Sequence, residues 1–144
     1  MALRLTEEEP GKDALVVRVR GNIDLNTVDQ WEDLMRRLIR RRVDSVVVDL
    51  AASGHVSARG LKMLLACAAN QSLMNGSLHV VGARGATRRT AKMVGLWDMA
   101  REAASVRSAL KHAEDHRQSQ EAGTKMLQKA RIHSRRMARQ TGTI

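Results

Sequence analysis

Residues 14–20, ALVVRVR, set Val17 and Val19 against Arg18 and Arg20 at a period of two, which predicts a strand with one half-buried face. GNID follows as a turn. From Thr27 to about Arg42 the period lengthens, and Val28, Trp31, Leu34, Met35, Leu38 and Ile39 recur at helical spacing. Asn26 is the expected N-cap of this helix. Asp29, Glu32 and Asp33 sit early and RRLIRRR late, an order that suits the helix dipole. The apolar run SVVVDLA, 45–51, predicts a central strand covered on both faces.

A second helix is expected over 58–74, with Leu61, Leu64, Leu65, Ala68 and Leu73 turned inward and Asn75-Gly76 as its stop. SLHVVGA is the next strand. A third helix spans about Ala86 to Val94 before Gly95, and a fourth starts near Glu102. A short strand near Leu3–Thr6 is placed antiparallel at the edge. This β–α–β–α–β–α order with short connections predicts an α/β fold, a mostly parallel sheet of four to five strands packed with about four helices. Residues 1–117 form the expected domain. Beyond Arg117 the pattern loosens: QSQEAGTK reads as a linker, and residues 118–144 as a basic tail, linker-like or helical.

Composition narrows the partner classes. The chain has 144 residues, no Phe or Tyr, and only Trp31 and Trp97, so its core is aliphatic and methionine-rich. A chain so poor in rings is ill-suited to stacking single-stranded bases. Net charge is +10, shared as 17 basic against 12 acidic residues over 1–110 and 8 against 3 over 111–144. Each part is +5, so the short tail is the more densely charged and acidic partners are favoured. A lone cysteine, Cys67, excludes an internal disulfide framework and fits a reducing compartment. The N-terminus lacks an apolar signal core and no run reaches membrane-span length, so a cytoplasmic setting is expected and the sequons at Asn70 and Asn75 carry little meaning.

Candidate chemistry is sparse. His112 and His116 stand i, i+4 but lack the HExxH order and a third ligand, and read as a solvated helix end. Cys67 lies mid-helix among apolar residues and reads as structural. GARG, 82–85, turns a strand into a helix beside Arg84, Arg88 and Arg89, but has neither GxGxxG nor the Lys-Ser/Thr of a P-loop, so its glycines read as a tight turn. No catalytic triad, carboxylate pair or metal cluster is evident. Neither enzymatic activity nor a cofactor is expected.

Three segments together resemble the STAS domain of bacterial anti-sigma-factor antagonists. VVRVRGNIDLNTVDQW resembles the family's opening strand and its Gly-x-Leu/Ile-Asp turn, with Gly21 and Asp24 in place. VVVDLAASGHVSARGLKML resembles the strand–loop–helix DLSGVxFIDSSGLxxL. GSLHVVGARGATRRTAKMVGLWDM resembles the closing strand and helix, where Arg88, Arg89, Gly95 and Leu96 fit RR…GL. The likeness covers residues 12–110. It implies a STAS-like sheet and a switch in which a kinase phosphorylates a serine at the start of the second helix, releasing an anti-sigma factor. On that pattern Ser57 takes the aspartate position, Ala58 the phosphoacceptor serine and Arg59 the next residue, while Gly60 and Leu61 are retained. Ala58 cannot accept phosphate. Ser53 and Ser57 flank the position without matching it, and Ser57 reads as a helix N-cap.

The resemblance thus implies a non-enzymatic partner-binding module, an anti-sigma-factor antagonist-like regulator of transcription that cannot be phosphorylated at the usual site. Asp24, Ser57, Ala58, Arg59 and Gly60 form its expected docking surface. An anti-sigma factor or serine kinase-like protein is the expected partner, with other STAS proteins or an ATPase next. A scaffold role in a signalling assembly or an ABC transporter complex ranks second. Nucleic-acid binding through Arg36–Arg42 and the tail ranks third and is not favoured, since no recognition motif is present.

Overall fold

The computed structural model describes residues 2–140; Met1 and tail residues 141–144 lie outside the described residues. Among the described residues, six strands and four helices follow in the order β1 (Arg4–Gly11), β2 (Ala14–Ile23), α1 (Val28–Arg41), β3 (Ser45–Asp49), β4 (Ser53–Val56), α2 (Ala58–Leu73), β5 (Ser77–Val81), α3 (Gly85–Met93), β6 (Arg101–Ala103) and α4 (Val106–Gln140). The sheet runs β1-β2-β3-β5-β6, with β4 pairing the far end of β2. β1 pairs antiparallel with β2, and the other described pairings are parallel.

The alternation read from the sequence decides the layering. Leu15, Val17 and Val19 of β2, Val46 and Val48 of β3, and Leu78 and Val80 of β5 face the main core with Trp31, Leu34 and Leu38 of α1 and Leu61 and Leu64 of α2. The opposite face is smaller. Val16, Val47 and Val81 pack there against Ala109 of α4, with Val106 and Leu110 alongside. Arg18 lies on that second face, where it pairs with Glu8 at 3.0 Å and Asp49 at 2.8 Å. The expected α/β class and mostly parallel sheet hold, with one more strand than the upper expectation.

Several local expectations are corrected. Residues 53–56, expected as loop, form β4. This strand is only four residues long, and its register is fixed by a side chain, because the His55 N–H donates to Asn22 Oδ1 at 2.8 Å. Gly54 leaves the room, since a Cβ there would collide with the same Asn22 oxygen. The fourth helix starts later than Glu102: residues 101–103 form β6 beside β5. Reciprocal bonds between Ser105 and Ser108 then open α4 as a cap, Ser108 N–H to Ser105 Oγ at 3.0 Å and Ser105 N–H to Ser108 Oγ at 3.1 Å. The cap position of α1 is Thr27 rather than Asn26.

Leu73 does not turn inward; it is 86% exposed. Gln71 takes the inward place, and its Nε2 donates to the carbonyls of Val43 at 2.8 Å, Ser77 at 3.2 Å and Asp44 at 3.3 Å. Leu73 stands five residues beyond Ala68, about 140° round the helix from that buried position. The stop is as expected, with Asn75 left-handed at φ 59° and the Gly76 N–H reaching Gln71 O at 2.8 Å. Cys67 is buried, and loss of water pushes its thiol up to about 11, which fits a structural role.

Of the two readings of the tail, linker-like or helical, the described residues take the helical one, since α4 continues through QSQEAGTK without a break. Side chains one turn apart carry the helix across: Arg117 bonds Glu114 at 2.6 Å and Glu121 at 2.8 Å, and Gln118 bonds Glu114 at 3.2 Å. Gly123 sits inside this exposed helix, and a Cβ added to it would have nothing within 4 Å. Gly123→Ala should therefore stabilise the local helix by about 1 kcal/mol, read as a gain in helical circular dichroism on warming. No gain would mean that this stretch is held by something other than its own propensity.

Candidate functional site

Parallel pairing of β2 with β4 matches Ile23 to Val56, so the turns after both strands leave from neighbouring points. The Ser57 N–H donates to Ile23 O at 2.9 Å and joins them directly. Asp24 is thereby held beside the N-terminus of α2, as the sheet order implies for turns at the carboxyl ends of adjacent strands.

Each turn is built for its place. Asp24 Oδ1 accepts the Asn26 N–H at 3.0 Å, an Asx-turn, and Asp24 O accepts the N–H of Thr27 and Val28 at 3.1 and 2.8 Å. Thr27 Oγ1 donates to Asn22 O at 2.7 Å and accepts the Asp24 N–H at 3.0 Å. The carboxylate is thus occupied in shaping the turn. Across from it, Ser57 is the N-cap of α2, its Oγ accepting the Gly60 N–H at 3.1 Å. Ser53 is buried, its hydroxyl donating to Leu50 O at 2.7 Å to close the bend between β3 and β4.

Ala58 is the first residue of α2 and is exposed, as is Arg59. The Arg59 guanidinium reaches Glu32 of α1 at 3.5 Å, and Glu32 also holds Arg36 at 2.9 Å. Gly60 is buried where a Cβ would come within 2.8 Å of Ile23 Cγ2. Its carbonyl accepts the Trp31 indole N–H at 2.9 Å, which ties α1 to the first turn of α2. The five expected residues are therefore brought together, Ser57 and Gly60 as framework, Asp24 as turn former, Ala58 and Arg59 outward.

Three contributors are not legible in the sequence. Asn22 fixes β4 through its side chain. Leu25 stands 87% exposed in the turn beside Asp24, an apolar group offered to solvent at this edge. Arg84 donates to Ala51 O at 2.7 Å and Ser53 O at 3.3 Å, so its guanidinium clasps the β3–β4 bend rather than remaining free for an anion. Position 82 requires glycine: φ is +77°, and a Cβ would meet the Ala51 backbone at 2.6 Å. That agrees with the tight-turn reading of GARG.

A STAS domain model matches residues 6–110. The chain belongs to the STAS domain family. Among solved structures, this STAS chain is similar to an anti-sigma factor antagonist from Mycobacterium paratuberculosis at 26% identity and a TM-score of 0.69, covering 78% of this chain and 95% of that one. It shares the fold of the anti-sigma factor antagonist SpoIIAA in its unphosphorylated form, at 15% identity and a TM-score of 0.67 over 78% of this chain and 97% of that one. It also shares the fold of a serine-to-glutamate variant of RsbS from Moorella thermoacetica, at 18% identity and a TM-score of 0.63 over 78% and 96%. No curated protein matches the sequence. Among the described residues, no helix of this STAS protein is long and apolar enough to cross a membrane.

The histidine pair lies elsewhere than expected. His112 and His116 sit mid-helix in α4 rather than at a frayed end, over the end of the sheet that carries His79. The His79 and His112 ring centroids are 6.2 Å apart, and His116 Nε2 lies 3.2 Å from Asn75 O. His79 itself is 1% exposed, and neither of its ring nitrogens has a hydrogen-bond partner among the described residues. Burial above all, then the charges of Arg101, His112 and His116, pull its pKa down to about 4.

Proposed function

We propose that this chain is a non-enzymatic regulatory module of the anti-sigma-factor antagonist type, docking an anti-sigma factor of the serine kinase-like class through the N-terminus of α2. The docking surface comprises Asp24, Ser57, Ala58, Arg59 and Gly60, with exposed Leu25 at its margin. The observation that carries this reading is the exposed Ala58 at the head of α2. The Ser57 cap, the Asp24 turn and the Trp31–Gly60 bond support the loop around a methyl group, in the place where the family resemblance puts a phosphoacceptor hydroxyl. A module of this kind stays in its binding form whatever the kinase does, so its regulation lies in its amount or in its partner. Residues 1–117 carry this activity in a setting where thiols are reduced.

The test is to express the full chain, Ala58→Glu and Ala58→Ser in the native cell and compare what anti-sigma factor each retains. A carboxylate at the first turn is favourable to the helix, so Ala58→Glu should fold normally. It places negative charge on the docking face and should weaken the complex at least about tenfold, the direction of the family's phosphorylated state. Ala58→Ser should bind as the parent does. Equal retention by a folded Ala58→Glu protein would move the docking site to another face.

A further inference from the structure

We infer that the projecting half of α4, residues 118–140, is a nucleic-acid-binding arm that holds the phosphate backbone of a duplex. This goes beyond the docking function and uses the opposite end of the molecule. α4 starts after β6 at the carboxyl ends of the strands and passes across β3 and β5, until His116 meets Asn75 just before β5. Beyond it every described side chain from Gln118 to Ala138 is exposed, and Gln120, Glu121, Thr124, Lys125 and Gln128 still border a cleft with Asp44 and Met74 of the body. At 1.5 Å per residue, residues 118–140 extend about 34 Å.

What sets this arm apart is a run of cations with no carboxylate between them; on the body the acids are interspersed and offset part of the basic charge. Arg18, Arg36, Arg37, Arg41, Arg59 and Arg88 of the body each pair with a carboxylate. Residues 122–144 contain no Asp or Glu. Lys125, Lys129, Arg131, Arg135 and Arg136 are all exposed, and none has an ion-pair partner among the described residues. Five uncompensated cations within about 16 Å of helix are a standing electrostatic cost that an anionic partner removes.

The distribution selects the partner. At 3.6 residues per turn the five cations spread over roughly 160° of arc, with Ile132 among them, while Met126, Leu127, Ala130 and Met137 lie on the other side. A helix lying in a membrane surface needs a bulky, continuous apolar face rimmed by cations. On this arm the face opposite the cations carries Met126, Leu127 and Met137, but Gly123, Ala130 and Ser134 interrupt them, and Ile132 lies on the charged side. A second copy of the arm would bring like charges together. A duplex groove instead presents phosphates on both walls, about one charge per 1.7 Å of axis, which suits a rod with cations on its flanks. Arginine's planar fork adds bidentate contacts to phosphate oxygens. The contact is sequence-independent, in keeping with the absence of a recognition motif.

The test is fluorescence anisotropy of the full chain with a labelled duplex of about 20 base pairs, and in parallel co-sedimentation with vesicles of mixed phosphatidylglycerol and phosphatidylcholine. Five phosphate contacts predict that affinity falls roughly 500-fold between about 50 and 200 mM salt. Replacing Arg131, Arg135 and Arg136 together by Gln should weaken binding at least about tenfold and lower the log–log salt slope by close to three. The same charge change on α1, Arg36→Gln, Arg37→Gln and Arg40→Gln, should leave both nearly unchanged. Absence of duplex binding at the lowest salt overturns the inference. So does an equal loss in the α1 variant, or binding to vesicles but not to the duplex.

Discussion

Lowering the pH from 7 to 5 is expected to remove about 2 kcal/mol of folding stability through His79 alone. His79 is neutral and sealed in the fold, with a pKa of about 4, against an ordinary histidine near 6.5. The sign follows from proton counting. Above pH 6.5 the ring is neutral in both states and contributes nothing. Between 6.5 and 4 the unfolded chain takes up a proton that the folded chain refuses, so stability falls as the pH drops. Below 4 both states are protonated and the loss levels off at up to about 3 kcal/mol. Arg101 of β6 and His112 and His116 of α4 oppose a charge on His79, and Asp98 lines the same cavity. Carboxylates paired in the fold, such as Glu102 with Arg88, titrate lower and affect the more acid part of the curve. Urea unfolding at pH 7 and 5 measures the effect, with His79→Leu as the control. That variant removes two unpartnered buried nitrogens and should lose most of the slope between these pH values. A parent protein equally stable at both would show that water or a partner reaches the His79 ring.

His79 also marks where the sequence stops being readable. In SLHVV it sits inside a run that reads correctly as a strand, but its solitude depends on α4 crossing above it. Long periodic segments are legible because hydrophobic spacing is itself the cause of their packing: β2, β3, β5, α1 and α2 all lie where the pattern puts them. β4 and β6 are not, since three or four residues carry no period and their places are set by Asn22 Oδ1 and by the neighbouring strand. The Gln71–Leu73 exchange arises because hydrophobicity alone does not choose the inward residue at a helix end. Three backbone carbonyls there need a donor, and Gln71 reaches them. At the candidate site, the convergence of Asp24 and Ser57 follows from strand order, whereas the exposed Leu25 and the Arg84 clasp depend on the turns themselves. The continuity of α4 rests on Glu114, Arg117 and Glu121, a spacing present in the sequence but masked there by the glycine and polar residues of QSQEAGTK.

Trp31→Ala should cost about 3–5 kcal/mol, the largest loss expected from any substitution proposed for this chain. Trp31 is fully buried between α1 and α2 and is the largest side chain of the core. Truncation removes its apolar area and leaves a cavity, because the Leu and Val side chains around it are already fixed by the sheet. It also removes the indole N–H that reaches the Gly60 carbonyl at 2.9 Å. Trp31→Phe separates the two terms by keeping most of the packing while losing the hydrogen bond. Its expected cost is about 1–2 kcal/mol. The link to function lies in that bond. It fixes the first turn of α2, and with it Ala58 and Arg59, relative to the turn that carries Asp24. With the proposed docking function, Trp31→Phe should therefore weaken anti-sigma factor binding more than its modest effect on stability suggests, while a destabilising change on the far face, Val47→Ala, should leave binding intact. Denaturant unfolding gives the stabilities and isothermal titration the affinities. If both variants bind alike, the first turn of α2 either holds its position without Trp31 or is not the surface the partner touches. The Ala58→Glu protein then decides between those two.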